Sequence, residues 1–252
     1  ELKQDDPFSM VALTSTTLDG AVAQVRRQLD DGSWGPWIAT EPIDTGASDA
    51  APKAEKQGTE PIFVGATKAV QLLLTPRTVA APAVAPAPEV APAPEAAPAP
   101  APEQELGYTP ASVSKPLRQQ ETPLAEAVLD ISAVLIQPGS SPADSVLSDL
   151  ATPVAGDAGP KVISRAQWGA DESIRCATPT YDDFLGGATV HHTAGSNDYS
   201  KSESAEIVRA IYAYHAQTLG WCDVGYNVLV DKYGQIFEGR AGGLDRAVQG
   251  AH

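Results

Sequence analysis

Residues 78–105 are dominated by alanine and proline, and neither a helix nor a sheet is sustained through them. At the centre of the stretch, Ala85-Pro86-Ala87-Pro88-Glu89-Val90-Ala91-Pro92-Ala93-Pro94-Glu95 repeats Ala-Pro with spaced glutamates. Each proline fixes φ and removes a backbone donor, so the expected state is extended polyproline II, at ~3.1 Å per residue. A spacer is the favoured reading over a docking motif for proline-binding modules. The spacer divides the chain, and each flank must be read by itself.

The first flank, residues 7–77, reads as β. Met10-Val11-Ala12-Leu13-Thr14, Ala21-Val22-Ala23-Gln24-Val25-Arg26, Pro61-Ile62-Phe63-Val64-Gly65 and Ala69-Val70-Gln71-Leu72-Leu73-Leu74 are short apolar runs. Asp30-Asp31-Gly32-Ser33 and Gly35-Pro36 are turn signals, and residues 41–58 read as a polar loop. A small β-sandwich of some seventy residues is expected. Trp34 and Trp37 flank the second turn and are read as packing residues ahead of a sugar platform.

Residues 106–159 read as a loosely ordered connector. Thr122-Pro123 suits a helix start, and Leu124, Val128, Ile131 and Leu135 then share one helical face, so a short amphipathic helix is expected there.

The last part, 160–252, alternates strand and helix. Val162-Ile163 is a strand, and Ser164-Arg165-Ala166-Gln167 has capping-box spacing. Residues 188–192 read as a second strand. Ser200-Lys201-Ser202-Glu203 opens a helix to about Thr218, with Ile207, Ile211 and Tyr214 as its apolar stripe and Gly220 as its stop. Residues 226–230, the turn Asp231-Lys232-Tyr233-Gly234 and Gln235-Ile236-Phe237-Glu238 form a hairpin. The fold class is multidomain: a small all-β N-terminal domain, a Pro/Ala linker, and a C-terminal α/β domain with helices packed on a mixed sheet.

A net charge of -15 argues against nucleic-acid binding, which needs clustered Lys and Arg. No apolar run reaches the length of a membrane span. The chain opens on Glu1 rather than Met and is expected to be a processed protein or a fragment, so the missing signal peptide says nothing of export. Cys176 and Cys222 are the two cysteines, and buried thiols, a metal pair and a disulfide all remain open. All four histidines, His191, His192, His215 and His252, fall after residue 190. Neighbours on a strand point to opposite faces, so only one of His191 and His192 can serve a given site. No short-range metal-ligand pair such as His-Glu-x-x-His is present.

Several segments then occur in order. They are Ile163-Ser164-Arg165-Ala166-Gln167-Trp168-Gly169, Val190-His191-His192-Thr193-Ala194-Gly195, Leu219-Gly220-Trp221-Cys222-Asp223-Val224-Gly225-Tyr226-Asn227, Phe237-Glu238-Gly239-Arg240 and Gly250-Ala251-His252. Together they resemble the peptidoglycan recognition protein and type 2 N-acetylmuramoyl-L-alanine amidase family over about ninety residues, 161–252. The resemblance implies a zinc-dependent hydrolase that cuts the amide between N-acetylmuramic acid and the L-alanine of the stem peptide. It implies that His191 is a zinc ligand and that Tyr226 is catalytic, its phenol donating to the attacking water or the developing oxyanion. Zinc suits this chemistry because it polarises a carbonyl and lowers the pKa of bound water. His252 and Thr193 would line the substrate groove, and His192 and His215 would be structural. Glu238 and Arg240 would hold the hairpin, and Cys176 and Cys222 would form a disulfide.

The family's other two zinc ligands, a His and a Cys, would lie beyond residue 252. The chain is therefore expected to be C-terminally truncated, to hold an incomplete domain and to be inactive by itself. A recognition module that binds peptidoglycan without cutting it is the alternative. Trp34-Gly35-Pro36-Trp37 and Gly58-Thr59-Glu60-Pro61 resemble the β-rich segment ahead of actinobacterial amidase domains, which implies a secreted, wall-associated protein. A monomer whose partner is peptidoglycan is expected.

Overall fold

The computed structural model describes residues 1–15, 21–43, 57–76, 131–154, 159–193 and 195–251. The Pro/Ala segment, Leu124, Val128, Ala194 and His252 lie outside the described residues.

The N-terminal strands form one sheet. β1 (Leu2–Ser15) pairs with β4 (Gln57–Gly58) and β5 (Ile62–Pro76) along one edge, and with β6 (Ile131–Ile136) along the other. β2 (Ala21–Arg27) adds to the far side of β5, and β3 (Ile38–Ala39) to β2. Among the described residues these six strands belong to one hydrogen-bonded sheet. From Phe8 onward every residue of β1 is buried, because both faces of the sheet are covered. A register shift between Phe8 and Met10 resets the side-chain alternation. Phe8 and Val11 pack with Val25, Ile62, Val64 and Val70 on one face, while Met10 and Ala12 join Phe63 and Ile136 on the other.

β6 corrects the expected helix. Ile131 and Leu135 lie four apart, and four is also an even number, so the same spacing fits one face of a strand. The β-branched content of Ile131-Ser132-Ala133-Val134-Leu135-Ile136 and the open edge of β1 decide the outcome. Val11 pairs with Leu135 and Ser15 with Ile131.

The C-terminal elements form a second, four-stranded sheet in the order β7 (Thr152–Pro153), β8 (Lys161–Ile163), β10 (Ile236–Glu238), β9 (Val228–Val230). β8 and β10 run parallel and the other pairs antiparallel. α1 (Leu147–Leu150) and α2 (Arg165–Trp168) are single turns. Ser164 caps α2: its oxygen accepts from Gln167 N–H at 3.3 Å, and the Gln167 side chain accepts from Ser164 N–H at 2.7 Å. Glu203 accepts from Ser200 N–H at 2.7 Å ahead of α3 (Ser204–Ala213). α3 runs on through a π-helical turn, Tyr214–Thr218, and stops where Gly220 takes a φ of 73°.

The expected strand at 188–192 does not form. Residues 188–193 pair with no strand among the described residues, and Val190 is 98 % exposed. A β-prone run such as Thr189-Val190 gives a strand only where a ladder partner is present. β10 is flanked by β8 and β9, and α3 packs against the N-terminal sheet.

That packing makes one core. Met10, Phe63 and Ile136 lie in the same buried cluster as Val208, Ala210, Ile211 and Tyr212 of α3. Each large apolar side chain buried there contributes roughly 1.5–3 kcal/mol. The hydrogen bond across the contact, from Ser9 Oγ to Glu206 Oε1 at 2.6 Å, adds about 1 kcal/mol. Apolar burial therefore holds the sheet on the helix. No helix among the described residues is long and apolar enough to cross a membrane.

Candidate functional site

Tyr226 ends the loop between the π-helical turn and β9, and that loop is fastened at every step. Cys222 is joined to Cys176 by a disulfide, with Cα atoms 4.6 Å apart, and Cys176 N–H donates to Cys222 O at 3.2 Å. Cys222 itself has a φ of 64°, a conformation rare for a side-chain-bearing residue. The buried Asp223 accepts from Arg165 Nη1 at 3.0 Å, from Val224 N–H at 2.7 Å and from Ala241 N–H at 3.0 Å. Arg165 also donates to Glu172 at 2.7 Å. Trp168 Nε1 donates to Glu238 O at 2.8 Å, so α2 pins β10.

Glu238 accepts from Arg165 N–H at 3.1 Å, and Arg240 donates from its backbone to Tyr226 O at 2.8 Å and from Nη1 to Val224 O at 3.1 Å. Both residues tie the hairpin to the tyrosine loop. His215 is wholly buried, and its Nδ1 accepts from Gly225 N–H at 3.1 Å. It anchors the residue immediately before Tyr226 and packs against Trp221, ring centroids 4.6 Å apart.

The Tyr226 ring lies close to two imidazoles. Its centroid is 5.5 Å from that of His215 and 6.0 Å from that of His191, the latter pair stacked at 27°. The structure thus brings His191 and Tyr226 together, although residues 188–193 are not a strand. His191 is exposed, and its Nδ1 lies 2.6 Å from His192 O. His192 stacks on His191 rather than facing away from it, as two strand neighbours would, and its Nε2 is 3.3 Å from Glu41. Thr193 is half-buried in the same stretch and makes none of these ring contacts.

Reasoning from sequence missed Glu60. The Tyr226 hydroxyl donates to Glu60 Oε1 at 3.2 Å, and Glu60 is 1 % exposed. Burial pushes the Glu60 carboxyl up to about 7, the Tyr226 hydrogen bond pulls the other way, and the nearby charge of Glu41 adds to the rise. Burial, reinforced by the charge of Glu60, also pushes the Tyr214 phenol above its ordinary value. The available signal was an acid placed directly before the apolar run Pro61-Ile62-Phe63-Val64, where a charge has no solvated face to occupy.

Zinc needs three or more donors around one point. His191 supplies one imidazole, and the disulfide removes both cysteines as thiolates. Among the described residues no group of three or more His, Cys, Asp or Glu is gathered to hold a metal ion. The residues present do not make a zinc shell by themselves. What they do offer is a phenol donor and an imidazole on one face, with a buried carboxylate behind the phenol.

The family model described as Rv3811 N-terminal galactose-binding domain-like matches residues 1–104. Peptidoglycan-recognition protein SC1a/b of Drosophila simulans is 37 % identical over 79 residues, 31 % of this chain and 42 % of that protein. Peptidoglycan-recognition protein SC2 of Drosophila melanogaster is 38 % identical over 94 residues, 37 % of this chain and 48 % of that protein. Peptidoglycan recognition protein 1 of Bos taurus is 35 % identical over 95 residues, 38 % and 48 %. The chain spans about half the length of the curated relatives it matches. No solved structure matches. The chain is therefore similar to peptidoglycan recognition proteins over part of its length, and to a galactose-binding-like domain over its first 104 residues.

Proposed function

We propose that this chain is part of a peptidoglycan hydrolase that cleaves the N-acetylmuramoyl–L-alanine amide. The observation that carries the reading is the stacking of His191 on Tyr226, ring centroids 6.0 Å apart, in a chain similar to peptidoglycan recognition proteins. Amide hydrolysis develops negative charge on the carbonyl oxygen. A phenol with its proton directed by neighbours stabilises that charge better than it removes a proton, because its ordinary pKa is near ~10.

In this reading Tyr226 is the oxyanion donor and His191 one zinc ligand. His252 and Thr193 border the groove, and the Cys176–Cys222 disulfide holds the tyrosine loop. Zinc, when bound, would polarise the carbonyl and acidify water. The described residues supply only one ligand, so every step assigned here belongs to the protein's own side chains.

The modular layout belongs to the same proposal: a β domain at 7–77, a linker at 78–105, a connector at 106–159 and the amidase-type domain at 160–252. So does a secreted, wall-associated, actinobacterial-type setting. A second reading, a module that binds peptidoglycan without cutting it, is supported by the names of the similar proteins, which are recognition proteins.

Incubating purified sacculi with the full product of the reading frame, then labelling newly exposed amino termini, separates the two. New N-terminal alanine supports the hydrolase. Retention on sacculi with no new amino termini supports the binding module. Neither retention nor cleavage contradicts both.

A further inference from the structure

Glu60 sits in a stretch with no slack. Thr59 N–H donates to Leu13 O at 2.8 Å, and Leu13 N–H donates back to Thr59 Oγ1 at 3.0 Å. Glu60 N–H donates to Glu41 O at 2.8 Å, and Ile43 N–H donates to Gly58 O at 3.0 Å. The segment is thereby held between β1 and residues 41–43. Its carboxylate is carried to the buried side of the sheet, where Oε1 meets the Tyr226 hydroxyl and Oε2 has no hydrogen-bond partner among the described residues. A buried carboxylate satisfied at one oxygen is costly, and a packing role would be filled at lower cost by an apolar residue. The feature this acid supplies is an acceptor aimed at one phenol.

A second contact falls at the same place. Glu41, whose backbone holds Glu60, meets His192 next to His191. The sheet therefore touches the candidate site at both Tyr226 and the His191-His192 pair.

We propose that Glu60 is a positioning residue for Tyr226: the N-terminal sheet supplies the carboxylate that orients the phenol, which makes that sheet a working part of the hydrolytic site. The inference rests on the hydrolase reading above. Glu60 acts through Tyr226 and does not touch the substrate. In the resting site the hydrogen bond to Glu60 holds the phenol in place, and the same O–H leaves Oε1 for the oxyanion as the tetrahedral intermediate forms.

The test uses Glu60→Ala and Glu60→Gln in the full product of the reading frame, with kcat and KM measured on a muramyl peptide. Glu60→Ala is expected to lower kcat by about tenfold, the equivalent of one lost orienting hydrogen bond, with KM little changed. Glu60→Gln keeps an acceptor oxygen and is expected to restore most of the loss. The wild-type kcat is expected to change through an ionisation near 7 that Glu60→Gln lacks, because the charged and neutral carboxyl hold the phenol proton with different strength. An unchanged kcat in Glu60→Ala overturns the proposal, and a raised kcat does so as well, since the sheet would then be blocking the site.

A second measurement does not depend on cleavage. Carbon-detected NMR of labelled glutamate in the 252-residue chain reads the Glu60 titration directly. Tyr226→Phe removes the hydrogen bond that favours the carboxylate, so the Glu60 midpoint is expected to move above its wild-type value near 7. No movement means that the contact is absent and overturns the proposal. Failure of the wild type to cleave any muramyl peptide, with the titration shift present, counts against the hydrolase reading and leaves the Glu60–Tyr226 link standing.

Discussion

The hydroxyl of Tyr226 donates to Oε1 of Glu60 across 3.2 Å, joining residues 166 apart in sequence. The contact crosses from the N-terminal sheet to the loop ahead of β9. It ties the stability of one part to the chemistry proposed for the other.

The raised carboxyl of Glu60 makes stability depend on pH. The unfolded chain has an ordinary glutamate near 4.5, and the folded value is about 7. Between these values the folded state holds the proton more tightly, so its stabilising contribution is complete below 4.5 and is lost as pH rises through 7. A shift of this size corresponds to roughly 3 kcal/mol. Glu60→Gln should therefore match the wild type at acid pH and exceed it above 7, as read by urea unfolding across that range. Parallel curves for the two proteins would contradict the assignment.

The Cys176–Cys222 disulfide closes a loop between residues 46 apart. Restricting the unfolded chain by that loop is worth about 4 kcal/mol in the chain-entropy treatment, and measured losses often fall below it. The double serine variant should unfold at a clearly lower urea concentration than the oxidised wild type. Reductant should shift the wild type and leave the variant unmoved. A reductant-insensitive wild type would show that the bond does not form.

Arg165 and Asp223 are a buried ion pair, their side chains 7 % and 5 % exposed. Removing Asp223 leaves the buried Arg165 with the half-exposed Glu172 as its remaining counter-charge. Asp223→Ala should cost about 3–5 kcal/mol and loosen the loop that carries Tyr226, visible as faster amide exchange at Val224 and Ala241. A loss under 1 kcal/mol would mean that the pair is open to water.

Gly58 faces the π-helical turn at Tyr214. A Cβ placed there would lie 2.3 Å from the Tyr214 hydroxyl. Gly58→Ala should destabilise by about 1–3 kcal/mol through overpacking. Adding Tyr214→Phe removes the clashing oxygen, and the double variant should regain most of the loss. Additive losses in a double-mutant cycle would mean that the two residues do not meet.

The local signals proved easy to read and the long-range ones did not. Ser164 with Gln167, Ser200 ahead of Glu203, Gly220 and the hairpin turn at Asp231 each act within a few residues, and the structure follows them. The strand expected at 188–192 and the helix expected through 131–135 both depended on partners elsewhere in the chain. A β-prone run needs a neighbour before it is a strand, and a spacing of four residues suits both a helix and a strand. The site divides the same way. His191 and Tyr226 lay in recognisable motifs, whereas Glu60 belongs to a segment whose role appears only when the sheet packs on α3.

The most direct test of the account is mass spectrometry of muropeptides treated with the full product of the reading frame, wild type against Tyr226→Phe. The account predicts free stem peptides beginning with L-alanine in the wild type, and a fall of about 10²-fold in rate in the variant with binding to sacculi retained. Equal release by both proteins would remove Tyr226 from the chemistry. Binding with no release by either would make the chain's partner peptidoglycan and its activity recognition alone.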